Sequence, residues 1–282
     1  MSASLASFGL PLAYAVFVWW FTTGLILWLD GLPQRTHSRS LMVASLVLVL
    51  ALGALAHGRR DTSVAGAYCA FSCAIVVWGW VEMTFLMGYV TGSRTEPCPA
   101  GARGWRRFVC ATQAIMHHEM LIAACALAVA LATLDGDNQT GLRTFLLLWV
   151  MRLSAKLNLF LGVRNLSEEF LPVRLRYLAT YFARRPMNLL FPFSVTMATL
   201  VTAGIGSLAL SADVPPGAAA GHALVAVLLG LAVLEHWLMV LPVSATALWK
   251  WCLGAHGASG EKPGAILTGP VKRTALAPGE AA

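Results

Sequence analysis

The chain has 282 residues, 58% of them hydrophobic and only 12% charged, where an ordinary soluble domain carries about 25% charged residues. That composition excludes a water-soluble globule. The 20 Lys and Arg against 13 Asp and Glu give a net charge of +7, but the cations fall in short segments between apolar blocks, where they set membrane orientation and do not point to nucleic acid.

In chain order, apolar blocks run over 10–28, 41–56, 64–90, 108–134, 145–163, 189–210 and 223–248. Crossing a bilayer takes about 20 residues per helix. The expected fold class is all-α, a polytopic transmembrane helix bundle of about seven spans. The second block is the shortest, so six is the competing count. Arg35 and Arg39 follow the first block, and Arg94, Arg103, Arg106 and Arg107 follow the third. Arg164, Arg174, Arg176, Arg184 and Arg185 follow the fifth, and Lys250, Lys262, Lys272 and Arg273 lie beyond or at the edge of the seventh. The opposite side holds Arg59, Arg60 and Arg143, with Asp135, Asp137 and Asp213. Excess Lys and Arg marks the cytoplasmic side, so the N-terminus is expected outside and the C-terminus in the cytoplasm. The first block has no basic residues before it and reads as a retained helix, not a signal peptide. No CxxC occurs, and the cysteines imply no disulfide framework.

Two regions depart from the membrane pattern. Over 165–186, Phe170, Leu171, Val173, Leu175, Leu178 and Phe182 alternate with arginines. This suits a helix near 167–185 lying at the cytoplasmic interface, stems buried and guanidinium heads toward lipid phosphate. Glu168 and Glu169 suit its first turn. Glu168, Glu169, Arg174, Arg176, Arg184 and Arg185 are its candidate contacts with a partner subunit. After Leu253 the chain is rich in Gly, Ala, Pro and Lys without periodicity. Residues 1–253 are therefore expected to form the membrane domain and 254–282 a disordered cytoplasmic tail.

Ionisable residues inside spans are costly, and each is a candidate functional residue with a partner to be found. Here they are Glu82 in the third block, His117, His118 and Glu119 in the fourth, Arg152 and Lys156 with Asn158 in the fifth, and Glu235 with His236 in the seventh. Counted from the cytoplasmic ends at about 1.5 Å per residue, they fall in one band roughly 12 to 20 Å deep. Arg152 and Lys156, four apart, share a helical face and need acids on neighbouring helices. Glu82, Glu119 and Glu235 are available, which leaves one negative charge over. Three readings stay open: a structural charge network of Arg152, Lys156 and Asn158 with these acids; a transition-metal site; or a histidine ligating the magnesium of a chlorophyll-type pigment. The Glu-x-x-His spacing of di-iron bundles is absent, since residue 122 is Ile and residue 238 is Leu.

The run WGWVEMTFLMGYVTGSRTEPCP beginning at Trp78, the GWRRF at Gly104, and WVMRLSAKLNLFLGVRNLSEEFLPVRLRYL beginning at Trp149, with RRPMNLLFPFSV at Arg184, resemble the PuhE-type photosynthetic complex assembly family of purple bacteria. The opening FVWWFTTGLILWLDGLPQRT is similar to it as well. The resemblance implies a multi-pass protein of the bacterial inner (intracytoplasmic) membrane. It further implies an assembly factor for the reaction centre and light-harvesting complex, with an effect on bacteriochlorophyll supply. Its partners would be reaction-centre and antenna subunits or other assembly factors, together with the lipid bilayer. The resemblance brings no catalytic residue and no established cofactor; bacteriochlorophyll and a transition metal are the two alternatives for Glu82, His117, His118, Glu119, Glu235 and His236. The competing function is an intramembrane metal-dependent oxidoreductase acting on a pigment or lipid, with Glu82, Glu119, Glu235, His118 and His236 as ligands.

Overall fold

The computed structural model describes residues 2–166, 168 and 171–242. Its elements are α1 (Ser2–Asp30), α2 (Gln34–His57), a 3-10 turn (Gly58–Arg60), α3 (Val64–Leu86), α4 (Gly104–Ala132), α5 (Thr140–Leu161), a 3-10 segment (Val173–Tyr181), α6 (Leu190–Ala209) and α7 (Pro216–Leu238). Among the described residues there is no strand, only an isolated bridge between Val163 and Arg184. Among the described residues there are seven α-helices, all long and apolar enough to cross a membrane.

Helices α3 and α7 form the centre. Each has about half of its residues buried, whereas α1, α2 and α6 present large apolar side chains outward, among them Leu46, Leu50 and Leu200. Lipid tails are as apolar as these side chains, so helix association rests on close packing and internal hydrogen bonds more than on removal of surface from solvent. Phe71 and Ile75 of α3 pack on Leu224 and Leu228 of α7 and Ala15 of α1, while Val77 and Val81 of α3 pack toward Ile122 of α4 and Phe145 of α5. Helix starts are fixed locally. The Ser63 hydroxyl accepts from Gly66 N at 3.0 Å at the start of α3, and the Asn188 side chain accepts from Leu190 N and Phe191 N at 2.9 and 3.1 Å at the start of α6. Pro216 opens α7 at a position where the missing N–H costs nothing.

Several boundaries differ from the sequence reading, and helices α1, α4, α5 and α7 each begin earlier than expected. Helix α2 begins at Gln34, so the block expected to be shortest is a full-length span. Helix α3 stops at Leu86, not near 90, because the chain turns at Gly88 (φ +74°) and Tyr89 N and Val90 N both return to the Thr84 carbonyl at 2.9 and 3.1 Å. The strand of loop that follows lies against α4: His118 N donates to the Thr91 carbonyl at 2.8 Å, and a Cβ at Gly92 would overlap the Gln113 carbonyl. Glycine is required there by close approach of two backbones. Helix α7 ends at Leu238 and the chain turns over 239–242, so the span expected to run on to 248 is interrupted there; residues 243–248 and the tail at 254–282 lie outside the described residues.

The expected interfacial α-helix is instead the 3-10 segment, and it is docked on the protein. Leu175, Leu178 and Tyr181, spaced by three, line up along one edge when there are three residues per turn. All three are buried, packed against Phe85 of α3 and Ala114 of α4. Runs of this kind longer than three or four residues are uncommon, and tertiary contacts hold this one in place. Arg174 does not reach outward to lipid; it points inward to Asp30.

Candidate functional site: the intramembrane charge layer

The layer is built from facing helix surfaces. On α5, Trp149, Arg152 and Lys156 succeed each other at spacings of three and four and so share one face. Arg152 Nη2 donates to Glu82 Oε2 of α3 at 3.0 Å. Lys156 Nζ lies 2.5 Å from Glu119 Oε1 of α4, and Trp149 Nε1 donates to the other Glu119 oxygen at 3.3 Å. Each cation therefore meets its own carboxylate. Both members of the Lys156–Glu119 pair are about one-fifth exposed, whereas Arg152 keeps 41% of its side chain exposed.

Glu235 of α7 makes no salt bridge among the described residues. It accepts from Trp19 Nε1 of α1 at 2.8 Å and is exposed on its helix, within electrostatic reach of Arg152 and Glu82. It is the carboxyl of the layer left without a cation once Glu82 and Glu119 are paired. The three histidines of the layer are handled differently. His118 is fully buried, its ring 4.2 Å from that of Phe85, and neither ring nitrogen has a hydrogen-bond partner. His236 uses both nitrogens: Nδ1 donates to the Ala232 carbonyl at 2.8 Å, which leaves Nε2 to accept from the Ser154 hydroxyl at 2.9 Å. His117 is exposed on the outer face of α4. Consecutive residues on a helix are turned by about 100°, which is why His117, His118 and Glu119 face three different surroundings.

Asn158 does not join the charges. Its side chain donates to the Ser154 carbonyl at 2.9 Å and accepts from Asn188 Nδ2 at 3.0 Å. It ties α5 to the start of α6. Among the described residues no three His, Cys, Asp or Glu side chains come together in a way that could hold a metal ion. Among the described residues, four of the seven buried polar atoms without partners lie in the layer: Glu82 Oε1, Arg152 Nε and both His118 nitrogens.

A second polar cluster ties the arginine-rich end together. Arg174 donates to Asp30 Oδ1 at 2.9 Å, to the Met87 carbonyl at 2.9 Å and to His37 Nδ1 at 3.2 Å. His37 Nε2 in turn donates to the Leu32 carbonyl at 2.9 Å. Arg174 thus clamps the ends of α1 and α3 to the start of α2. Nearby, Arg94 Nε donates to the Tyr181 hydroxyl at 2.9 Å, which donates to the Glu96 carbonyl at 2.9 Å. That bond holds the Arg94 guanidinium above its ordinary range, and burial pushes the Tyr181 phenol up. Of the other expected partner contacts, Arg184 pairs with Glu168 at 3.2 Å on the surface, Arg176 and Arg185 are exposed, and Glu169 lies outside the described residues. Sequence reasoning missed Trp19, Asp30, His37 and Asn188. Asp30 carried a signal, as an acid at the end of an otherwise uncharged span, but its partner lies 144 residues away.

Over residues 5–259, which take in every residue of the layer and all but the first three residues of the described helices, the sequence matches the family described as "Protein of unknown function (DUF3623)". The chain belongs to this family. A curated relative of this DUF3623 protein is described as "Uncharacterized 30.4 kDa protein in puhA 5'region" from Rhodobacter capsulatus. It is 40% identical over 260 residues, covering 91% of this chain and 93% of the relative. No solved structure matches the DUF3623 chain.

Proposed function

We propose that this protein is a non-enzymatic assembly factor for the bacterial photosynthetic reaction centre and light-harvesting complex. On this reading it resides in the inner (intracytoplasmic) membrane, with the N-terminus outside and the arginine-rich end in the cytoplasm. The observation that carries the reading is the full-length similarity to a protein of the puhA 5' region, which agrees with the family resemblance of the 149–178 run. The geometry supports a scaffold over a reaction centre of its own: Glu82 and Glu119 are each committed to one cation, and His236 has both nitrogens engaged. Among the described residues, the ligand set expected of the competing metal-dependent oxidoreductase does not converge.

Pigment handling belongs to the same proposal, and its contact residue is His117. A magnesium-bearing macrocycle needs an imidazole nitrogen it can approach, and of the layer's histidines His117 is the one exposed at the membrane face, whereas His118 is enclosed by protein. The exposed Arg176, Arg184 and Arg185 form the surface offered to nascent subunits. The test is deletion of the gene, followed by absorbance spectra of reaction centre and antenna in membranes. A fall in pigment-protein levels that is restored by the intact gene supports the proposal, and unchanged levels remove it.

A further inference from the structure

The start of α4 and the end of α5 meet in an aromatic corner at the arginine-rich end. Trp105 stacks on Phe108 with ring centroids 5.2 Å apart, and Phe108 meets Phe160 of α5 edge-on at 5.7 Å. Arg107 holds the corner together. Its guanidinium carbon stands 4.3 Å over the centre of the Phe160 ring, and Nη2 donates to the Phe160 carbonyl at 3.0 Å and to the Tyr181 carbonyl. Trp105 nevertheless leaves 75% of its surface open. Arg103 at the N-cap and Arg106 three residues on are exposed as well, and these are the two positions whose side chains converge where a helix starts.

This corner carries positive charge without an acid to match it. The first turn of α4 has no Asp or Glu. Among the described residues, the acids of this end are committed elsewhere: Asp30 to Arg174, Glu96 to Arg94 and Glu168 to Arg184. Converging guanidinium groups repel each other, and a phosphate between them removes the repulsion while accepting forked contacts from both. The aromatic side narrows the choice of phosphate. An open tryptophan ring beside the arginines suits the boundary between head groups and acyl chains. Further along, Met116 of α4 and Leu157 of α5, three residues before Phe160, are exposed apolar side chains. A water-soluble phosphate would use the arginines and leave this apolar strip uncovered, whereas an acyl chain covers it. A zwitterionic head group would bring its own cation against the arginines.

We propose that this corner binds an anionic phospholipid, its phosphate between Arg103 and Arg106 and an acyl chain along Phe108, Met116 and Leu157. Basic pockets beside membrane helices are suited to anionic head groups. The experiment is native mass spectrometry of the full-length protein in detergent with equal amounts of phosphatidylglycerol and phosphatidylcholine of the same acyl chains. Phosphatidylglycerol is expected to be retained in preference. An arginine near an anionic head contributes about fivefold, so Arg103→Gln with Arg106→Gln should lower that preference about 25-fold. Arg176→Gln with Arg185→Gln removes the same charge elsewhere at this end and is expected to leave the preference unchanged. In vesicles, brominated phosphatidylglycerol is expected to quench tryptophan fluorescence more than brominated phosphatidylcholine, and Trp105→Phe should abolish the excess. Equal retention of the two lipids, an equal loss in the Arg176 and Arg185 variant, or an excess of quenching that survives Trp105→Phe would each overturn the proposal. Should the Arg103 and Arg106 variant melt at a lower temperature than the native chain, the quenching arm decides it.

Discussion

Lys156 of α5 and Glu119 of α4 form a direct ion pair inside the membrane-spanning region, 2.5 Å between Nζ and Oε1. Removing one member of such a pair leaves the other charge buried and uncompensated, so Glu119→Ala is expected to destabilise the protein by about 3 to 5 kcal/mol. Replacing both with apolar residues of similar size, Glu119→Leu with Lys156→Met, should recover most of that loss. Thermal unfolding in detergent measures both. A double variant no more stable than the single one would show that the pair does more than neutralise itself.

His118 is expected to behave in the opposite way. Its ring is fully buried against Phe85 with both nitrogens unpartnered, and an unmade hydrogen bond in the interior costs about 1 to 3 kcal/mol. His118→Phe, which keeps a flat ring, should therefore be neutral or stabilising by the same thermal assay. Marked destabilisation would reveal a partner held by the imidazole.

The Arg174 clamp makes a prediction about local opening. Hydrogen bonds to charged groups contribute about 1.5 to 3 kcal/mol each, and Arg174 makes one to Asp30 and others to Met87 and His37. Arg174→Ala should release the 3-10 segment and speed tryptic cleavage after Arg176 and Arg184, while the spans stay protected. Arg174→Lys should rescue little, because a single ammonium cannot reproduce the forked contact. Cleavage rates equal to those of the native chain would contradict this.

Alkaline pH should loosen the same end. Tyr181 is pushed above its ordinary phenol range by burial, so its neutral form is the one the fold favours. A raised folded-state value means the contribution is fully present below the ordinary value near 10 and is lost as pH rises through the higher folded one. Trypsin sensitivity of the 3-10 segment is expected to rise only above about pH 10, together with tyrosinate absorbance. Tyr181→Phe should show the sensitivity already at neutral pH, since the links to Arg94 and Glu96 are gone.

Much of the bundle was legible from hydropathy, because a span needs only length and apolar composition, and both survive any error of a few residues at the ends. That Glu82, Glu119, Arg152 and Lys156 need partners on other helices was legible too, because an unpaired charge within a span is costly. The pairing of particular acids with particular cations was not, because it depends on how each helix is rotated about its axis. Asn158 shows this: its depth matched the charges, yet its face turns toward Asn188 and α6. The 3-10 segment was misread for a related reason. Its apolar residues satisfy an amphipathic α-helix at an interface nearly as well as the three-residue repeat of Leu175, Leu178 and Tyr181, and only Asp30, remote in sequence, draws Arg174 inward.

Asp30 and Arg174 also set an order of events at the ribosome. Domains and their parts form as the chain emerges, N-terminal portions first, but the first helix holds an acid whose counter-charge is synthesised 144 residues later. The opening helices must therefore wait in the insertion machinery or the bilayer in a provisional arrangement. Arg174 can meet Asp30 only once the fifth span has threaded and the segment behind it has swung back, so this contact closes on helices already made and cannot start their packing.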